Sequence, residues 1–335
     1  MSDTAFTAPD RTVSDRTVLD RTVPDRVASP GGGIGFAPLW VSLRRSFAHR
    51  VWPVLAVVLG LVVVWYAAAV WLNAPQALDR AARGGAALPF AALVSDTMAQ
   101  DRPVLPAPHQ IAAEVWDTTA GKSVTSKRSL VYHAWVTLSS TLLGFLFGAV
   151  LGVLLAVGIV HSRTLDASLM PWIIASQTIP ILAIAPMVIV VLGSYGLTGL
   201  VPKAVISAYL AFFPVAVGMV KGLRSPERTS LDLLRTYGAT GAQTLRLLRW
   251  PAAVPYLFAS AKVAVAISLV GAIVGELPTG AVAGLGARLL AGSYYGQTVQ
   301  IWSALVVAAA VAACLVIAVG LLERLVLRRM GVRAA

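Results

Sequence analysis

Charge is what this sequence has least of. Asp, Glu, Lys and Arg make up 13% of its 335 residues, where a soluble domain carries about 25%, so a surface bathed entirely in water is excluded. The one cysteine, Cys314, sits in an apolar run, which rules out an intramolecular disulfide framework and a cysteine-built metal site. The four histidines, His49, His109, His133 and His161, are too scattered to form a metal-ligand spacing. No nucleophile stands near a base, so the chain is not expected to be an enzyme or to need a cofactor. Its only Gly-Lys-Ser, Gly121 to Ser123, has Trp116 where a phosphate-binding loop has its first glycine. Any ATP hydrolysis is therefore expected on a separate subunit.

What the sequence does have is apolar length. Hydrophobic residues reach 57% and mean hydropathy is +0.77. A membrane-crossing helix needs about 20 consecutive apolar residues, and six segments qualify: Val51 to Leu72, Ala134 to Val160, Ala167 to Leu192, Val201 to Val220, Tyr256 to Gly275 and Ile301 to Leu322. The third is interrupted by Pro171, Pro180 and Pro186, and the fifth holds one charge, Lys262. The expected fold is all-α and polytopic, embedded in membrane lipids.

Basic residues accumulate on the cytoplasmic side of membrane proteins. With the N-terminus inside, segments 1–50, 161–166, 221–255 and 323–335 carry 18 of the 27 Lys and Arg residues. Segments 73–133, 193–200 and 276–300, together with Lys203, carry 8. Both termini are thus predicted to be cytoplasmic. The net charge of +12 follows from topology, with no nucleic-acid partner required.

Asp10 to Val27 repeats the unit Asp-Arg-Thr-Val-X. Its charges balance and it has little to bury, so 1–50 is read as a disordered tail. The first apolar run starts too late and is too long for a cleaved signal peptide; it reads as an N-terminal membrane anchor, 51–72. The segment 73–133 is expected outside, extended near Pro103, Pro106 and Pro108 and helical from Ile111 to Thr119. The segment 276–300 is rich in small residues and is a candidate to re-enter the membrane boundary.

The cytoplasmic loop 221–255 carries most of the functional signal. Leu231, Leu233 and Leu234 precede Gly238, and Leu245, Leu247 and Leu248 precede Pro251, with Arg235, Arg246 and Arg249 interleaved. This predicts helix, turn, helix, and a cationic amphipathic element of this kind can lie on an anionic leaflet. Asp232, Gly238 and Pro251 stand six and thirteen residues apart. That spacing resembles the EAA loop of binding-protein-dependent ABC importer permeases. Asp232 replaces the usual glutamate, Leu233 and Leu234 two alanines, and Trp250 a leucine. The resemblance implies that Asp232, Gly238, Ala239 and Pro251 belong to a coupling helix that docks on an ATPase subunit.

Further motifs follow in the order seen in permeases of the nitrate, sulfonate and taurine group. They are Ile179-Pro180, Ala185-Pro186, Gly193, Gly196, Lys203, Phe212-Phe213-Pro214, Gly222-Leu223-Arg224, and Glu276 followed by Gly284-Leu285-Gly286. The likeness covers about 130–330 and implies a permease domain over 134–330, a five-helix core plus one N-terminal helix. It also implies pairing of two copies as a homodimer in a bacterial inner membrane, with ABC ATPase subunits inside and an extracytoplasmic solute-binding protein outside. The implied cargo is a small polar solute, nitrate-, sulfonate- or taurine-like or a heterocyclic vitamin precursor.

Pathway candidates are Ser176, Gln177 and Thr178, which lie in mid-span before Pro180, and Glu276 at the outer end of the fifth span. Bonding between helices is an equal use for the first three, and a solvated end charge for Glu276. Ser139, Ser140 and Thr141 are weaker candidates. Lys262 is expected to snorkel to the cytoplasmic interface, and Gly144, Gly148 and Gly152 to pack a helix closely. An ion-coupled transporter or channel is the other reading; the lack of acidic or histidine relays within the spans counts against it.

Overall fold

A computed structural model describes residues 39–85, 89–278 and 281–331, with side chains from residue 52 onward. The repeat Asp10 to Val27 lies outside the described residues. The chain divides into two units, 1–57 and 58–335. The first contributes the start of helix α1 (Leu39–Arg83).

The second unit holds the rest of α1 and, in order, α2 (Phe90–Met98), α3 (Pro108–Thr119), α4 (Leu130–His161), α5 (Arg163–Ser176) and α6 (Ile181–Ser194). These are followed by α7 (Leu200–Leu223), α8 (Arg228–Thr236), α9 (Gly241–Thr244), a π turn (Leu245–Arg249), α10 (Trp250–Glu276), α11 (Leu285–Tyr294) and α12 (Thr298–Arg329). No strand occurs among the described residues. Among the described residues five helical stretches are long and apolar enough to cross a membrane: Trp52–Arg83, Leu130–His161, Leu200–Leu223, Gly241–Glu276 and Thr298–Arg329. The expected span Ala167 to Leu192 is not one straight helix. Pro180 removes a backbone donor and disfavours helical geometry in the residue before it, and α5 and α6 meet there at 100°.

The packing is the reverse of a soluble core. On α4 the large apolar side chains Leu146, Phe147, Val150 and Leu154 point outward and are exposed, while Gly144, Gly148 and Gly152 are buried. Lipid solvates leucine well, so helices associate where small residues let backbones approach. A Cβ on Gly144 would lie 2.3 Å from Ser207 Cβ, one on Gly148 2.7 Å from the Ala208 carbonyl, and one on Gly152 2.7 Å from the Phe212 carbonyl. A neighbouring face of α7, which shares Ser207, meets α10 in the same way: a Cβ on Gly271 would lie 2.9 Å from Ser207 Cα, and one on Gly222 2.9 Å from Ala253 Cα. Thus α7 is sandwiched between α4 and α10, and Ser207 marks the tightest crossing.

Two apolar clusters close this sandwich at its ends. One gathers Ile159, Ile173, Val215, Met219 and Leu223; the other gathers Leu130, Leu285, Ala304 and Ala308. Within the second unit α1 is tied by Trp65, whose indole donates to the Pro106 carbonyl at 3.1 Å and whose ring lies 5.0 Å from that of Trp302. The fully buried Asn73 accepts from the backbone of Val104 and Leu105 at 2.7 and 3.2 Å and donates back to Leu105 at 2.9 Å. It thereby holds the expected extended stretch, and α3 follows from Pro108.

Lys262 does not rely on snorkelling. It forms an ion pair with Glu323 on α12, which satisfies both charges close to the apolar zone.

Candidate functional site

The segment between α8 and α10 folds as two helices joined by a stop and a start. Gly238 has φ +70°, a backbone conformation costly for a residue with a Cβ. Its N–H donates to the Arg235 carbonyl at 2.9 Å, and that of Ala239 donates to Leu234 at 3.0 Å. This is a Schellman closure, which satisfies the last carbonyls of α8. Two residues on, Thr240 caps α9: Gln243 N donates to Thr240 Oγ1 at 3.3 Å, and Thr240 N donates to Gln243 Oε1 at 2.8 Å. This is a capping box. Gly238, Ala239, Thr240 and Gln243 therefore fix the elbow through local hydrogen bonds, two between backbone groups and two from backbone to side chain. A Cβ on Gly238 would meet nothing within 4 Å, so the glycine is needed for its dihedral and not for space.

Beyond α9 the chain widens into the π turn. The Trp250 N–H donates to the Leu245 carbonyl, five residues back, where Pro251 follows and has no N–H to offer. Pro251 thus stands where the loop helix passes into α10. No residue of α8 is buried. Asp232 is exposed and pairs with Arg235 at 3.1 Å, and Leu233, Tyr237 and Leu247 are exposed. The structure brings Asp232, Gly238 and Ala239 onto one protruding element, with Pro251 at its root.

Glu276 is neither solvated nor at an exposed helix end; it is fully buried. Its carboxylate accepts from Thr137 Oγ1 at 2.9 and 3.1 Å and from the Gly286 N–H at 2.7 Å. Lys203 Nζ lies 3.7 Å away and also donates to the Ala283 carbonyl at 3.4 Å. Thr137 Oγ1 in turn accepts from Leu285 N at 2.8 Å, and His133 Nδ1 accepts from Gly284 N at 2.9 Å. A Cβ on Gly284, whose φ is +130°, would fall 2.2 Å from the carboxylate carbon. The loop Gly284-Leu285-Gly286 is therefore seated on a buried acid that α4, α7 and α10 jointly hold. His133, Thr137 and Thr141 recur every four residues along α4, and Gly144, Gly148 and Gly152 continue with the same spacing after one step of three. That polar and small stripe is the signal that could have found Thr137 and His133, which the sequence reading did not select.

Ser176, Gln177 and Thr178 lie at the break between α5 and α6. Ser176 and Thr178 donate to carbonyls three residues back, at 2.7 and 2.8 Å, while the Tyr209 hydroxyl on α7 donates to the Ser176 carbonyl. Gln177 and Thr178 are exposed. Ser140 and Thr141 are buried and bonded to the Thr137 carbonyl at 2.9 and 2.7 Å; Ser139 bonds to Val136 at 2.8 Å. The structure does not bring the Ser176 group and Glu276 together into one site. Among the described residues no three His, Cys, Asp or Glu side chains gather as metal ligands.

Residues 148–332 match the family described as the binding-protein-dependent transport system inner membrane component. The chain is 33% identical over 225 residues to the riboflavin transport system permease protein RibX of Chloroflexus aurantiacus, covering 67% of this chain and 80% of that one. It is 32% identical over 183 residues to the formylaminopyrimidine transport permease protein ThiX of Halalkalibacterium halodurans, covering 55% and 68%. To the putative aliphatic sulfonates transport permease protein SsuC of Bacillus subtilis it is 27% identical over 207 residues, covering 62% and 73%. The match takes in the elbow, the π turn and the seated loop, and the chain belongs to the family of binding-protein-dependent transport system inner membrane components, the permease subunits of ABC importers.

Proposed function

We propose that two copies of this chain line the pathway of an importer for a small planar nitrogen heterocycle, with the α8–α9 elbow as the lever gripped by a separate ATPase. Family membership implies the ATPase and a solute-binding protein as partners. The homodimer, the cytoplasmic placement of both termini and the pathway roles of Ser176, Gln177, Thr178 and Glu276 are part of this reading. Glu276 acts in it by holding the outer loop, and the Ser176 group by offering polar atoms at the broken span. Among the relatives, those named for riboflavin and formylaminopyrimidine are 33% and 32% identical, against 27% for the one named for sulfonates; this supports a heterocycle over a sulfonate.

The observation that carries the reading is the exposed elbow whose backbone bonds run without a flexible linker into α10 and so toward Glu276. The test is uptake of labelled riboflavin, formylaminopyrimidine and an alkanesulfonate by cells expressing the chain with its ATPase and binding protein. Uptake of a heterocycle, abolished by Gly238→Trp with membrane insertion and chain level intact, is expected. Sulfonate uptake alone overturns the substrate class, and uptake driven by a proton gradient without any ATPase overturns the mechanism.

A further inference from the structure

A cavity of about 280 Å³ lies beneath the elbow, between it and the end of α4, with His161, Arg235, Thr244 and Arg249 on its walls beside the apolar Val160 and Leu231. Among the described residues no carboxylate lines it, and Asp232 reaches Arg235 alone, at 3.1 Å. Arg249 is half-buried, and neither it nor the Thr244 hydroxyl makes a hydrogen bond or ion pair among the described residues. In the last turns of α4 the Gly158 carbonyl accepts from the Ser162 N–H at 3.0 Å and the Val157 carbonyl from His161 Nδ1 at 3.0 Å. The walls are thus cationic on one side and apolar on the other, at the depth where a membrane-crossing helix ends.

Guanidinium forks match the oxygens of a phosphate, and basic residues at this depth meet the headgroups of anionic lipids. We propose that this cavity binds a phosphate group, supplied by an anionic phospholipid whose first carbons lie along Val160 and Leu231. The lipid ties the elbow to α4 from the face opposite the exposed surface of α8. Binding itself does not depend on the lever role; only its consequence for coupling rests on the function proposed above.

The test titrates the full-length chain, delipidated in uncharged detergent, with dioctanoyl-phosphatidylglycerol, dioctanoylglycerol or inorganic phosphate, and follows the thermal midpoint. The charged lipid should raise the midpoint and dioctanoylglycerol should not. Arg249→Gln should weaken the half-saturating concentration about threefold, the scale of a lost partly exposed charge contact. Arg246→Gln should stay close to wild type, and Arg249→Lys, which keeps the charge and loses the fork, should fall between wild type and Arg249→Gln. If Arg249→Gln does not fold, Arg235→Gln is held to the same criterion. No stabilisation by the charged lipid, equal stabilisation by dioctanoylglycerol, or unchanged binding in the variant overturns the site. Inorganic phosphate acting as well as the lipid overturns the lipid source and leaves a free-phosphate site. Coupling is read separately, as ATPase activity of the assembled complex, so failure of the lever reading leaves the binding result standing.

Discussion

At the scale of single residues, Glu276 decides most. Removing one member of a buried, hydrogen-bonded ion pair leaves the other charge stranded, at a cost of about 3–5 kcal/mol. Glu276→Ala should therefore lower the thermal midpoint sharply, and Lys203→Met combined with Glu276→Gln should recover part of the loss. Equal midpoints for the single and double variants would show that the two charges are not coupled. Gly284→Ala meets both an unfavourable φ and the Glu276 carboxylate, so release of the loop should appear as proteolysis near residue 284 in otherwise intact protein. The sequence made Glu276 and Lys203 visible as charges at span ends and as members of the permease motif series, with Glu276 a pathway candidate, but not as a pair. Their pairing joins α7 to α10, which local periodicity does not encode. The partner of Lys262 was hidden for the same reason, because Glu323 lies on another helix.

At the scale of elements, five apolar runs became helices, and each helix outruns its run. Hydropathy marks only the lipid-facing stretch, whereas α4 and α12 continue through polar residues at both boundaries and α10 ends on Glu276. The Pro180 break was legible as a proline and not as an angle. The elbow was legible in detail, because Gly238 and Thr240 act on their own neighbours. Gly238→Ala should cost the turn about 1–2 kcal/mol with no packing penalty, so transport should fall while the unfolding midpoint hardly moves. Gly148→Leu is the contrast. It drives a side chain into the α7 backbone, and overpacking of this kind typically costs about 1–3 kcal/mol or more. Loss of folded protein from the membrane fraction is expected, and normal yield would show that α4 and α7 can separate.

At the scale of the whole molecule, the proposed orientation rests on where the basic residues lie. In a variant with Cys314 replaced, a cysteine at the exposed Tyr237 should react with an impermeant maleimide in inside-out vesicles and not in intact cells. Labelling of intact cells would invert the topology and remove the elbow from any ATPase. Substrate class was the least legible property, since family resemblance left sulfonates and heterocycles both open.

The glycine and serine crossings carry one more consequence. Where α4, α7 and α10 meet, main chain lies against main chain, with no layer of side chains to slip or re-pack. The trio should travel as one stiff block, and hydrogen exchange at Ser207 and its neighbours should stay slow throughout the cycle. Any change of shape during turnover is then expected at the joints outside the trio, the corner at Pro180 first among them, while the widened turn ahead of Pro251 passes the lever's movement on to α10.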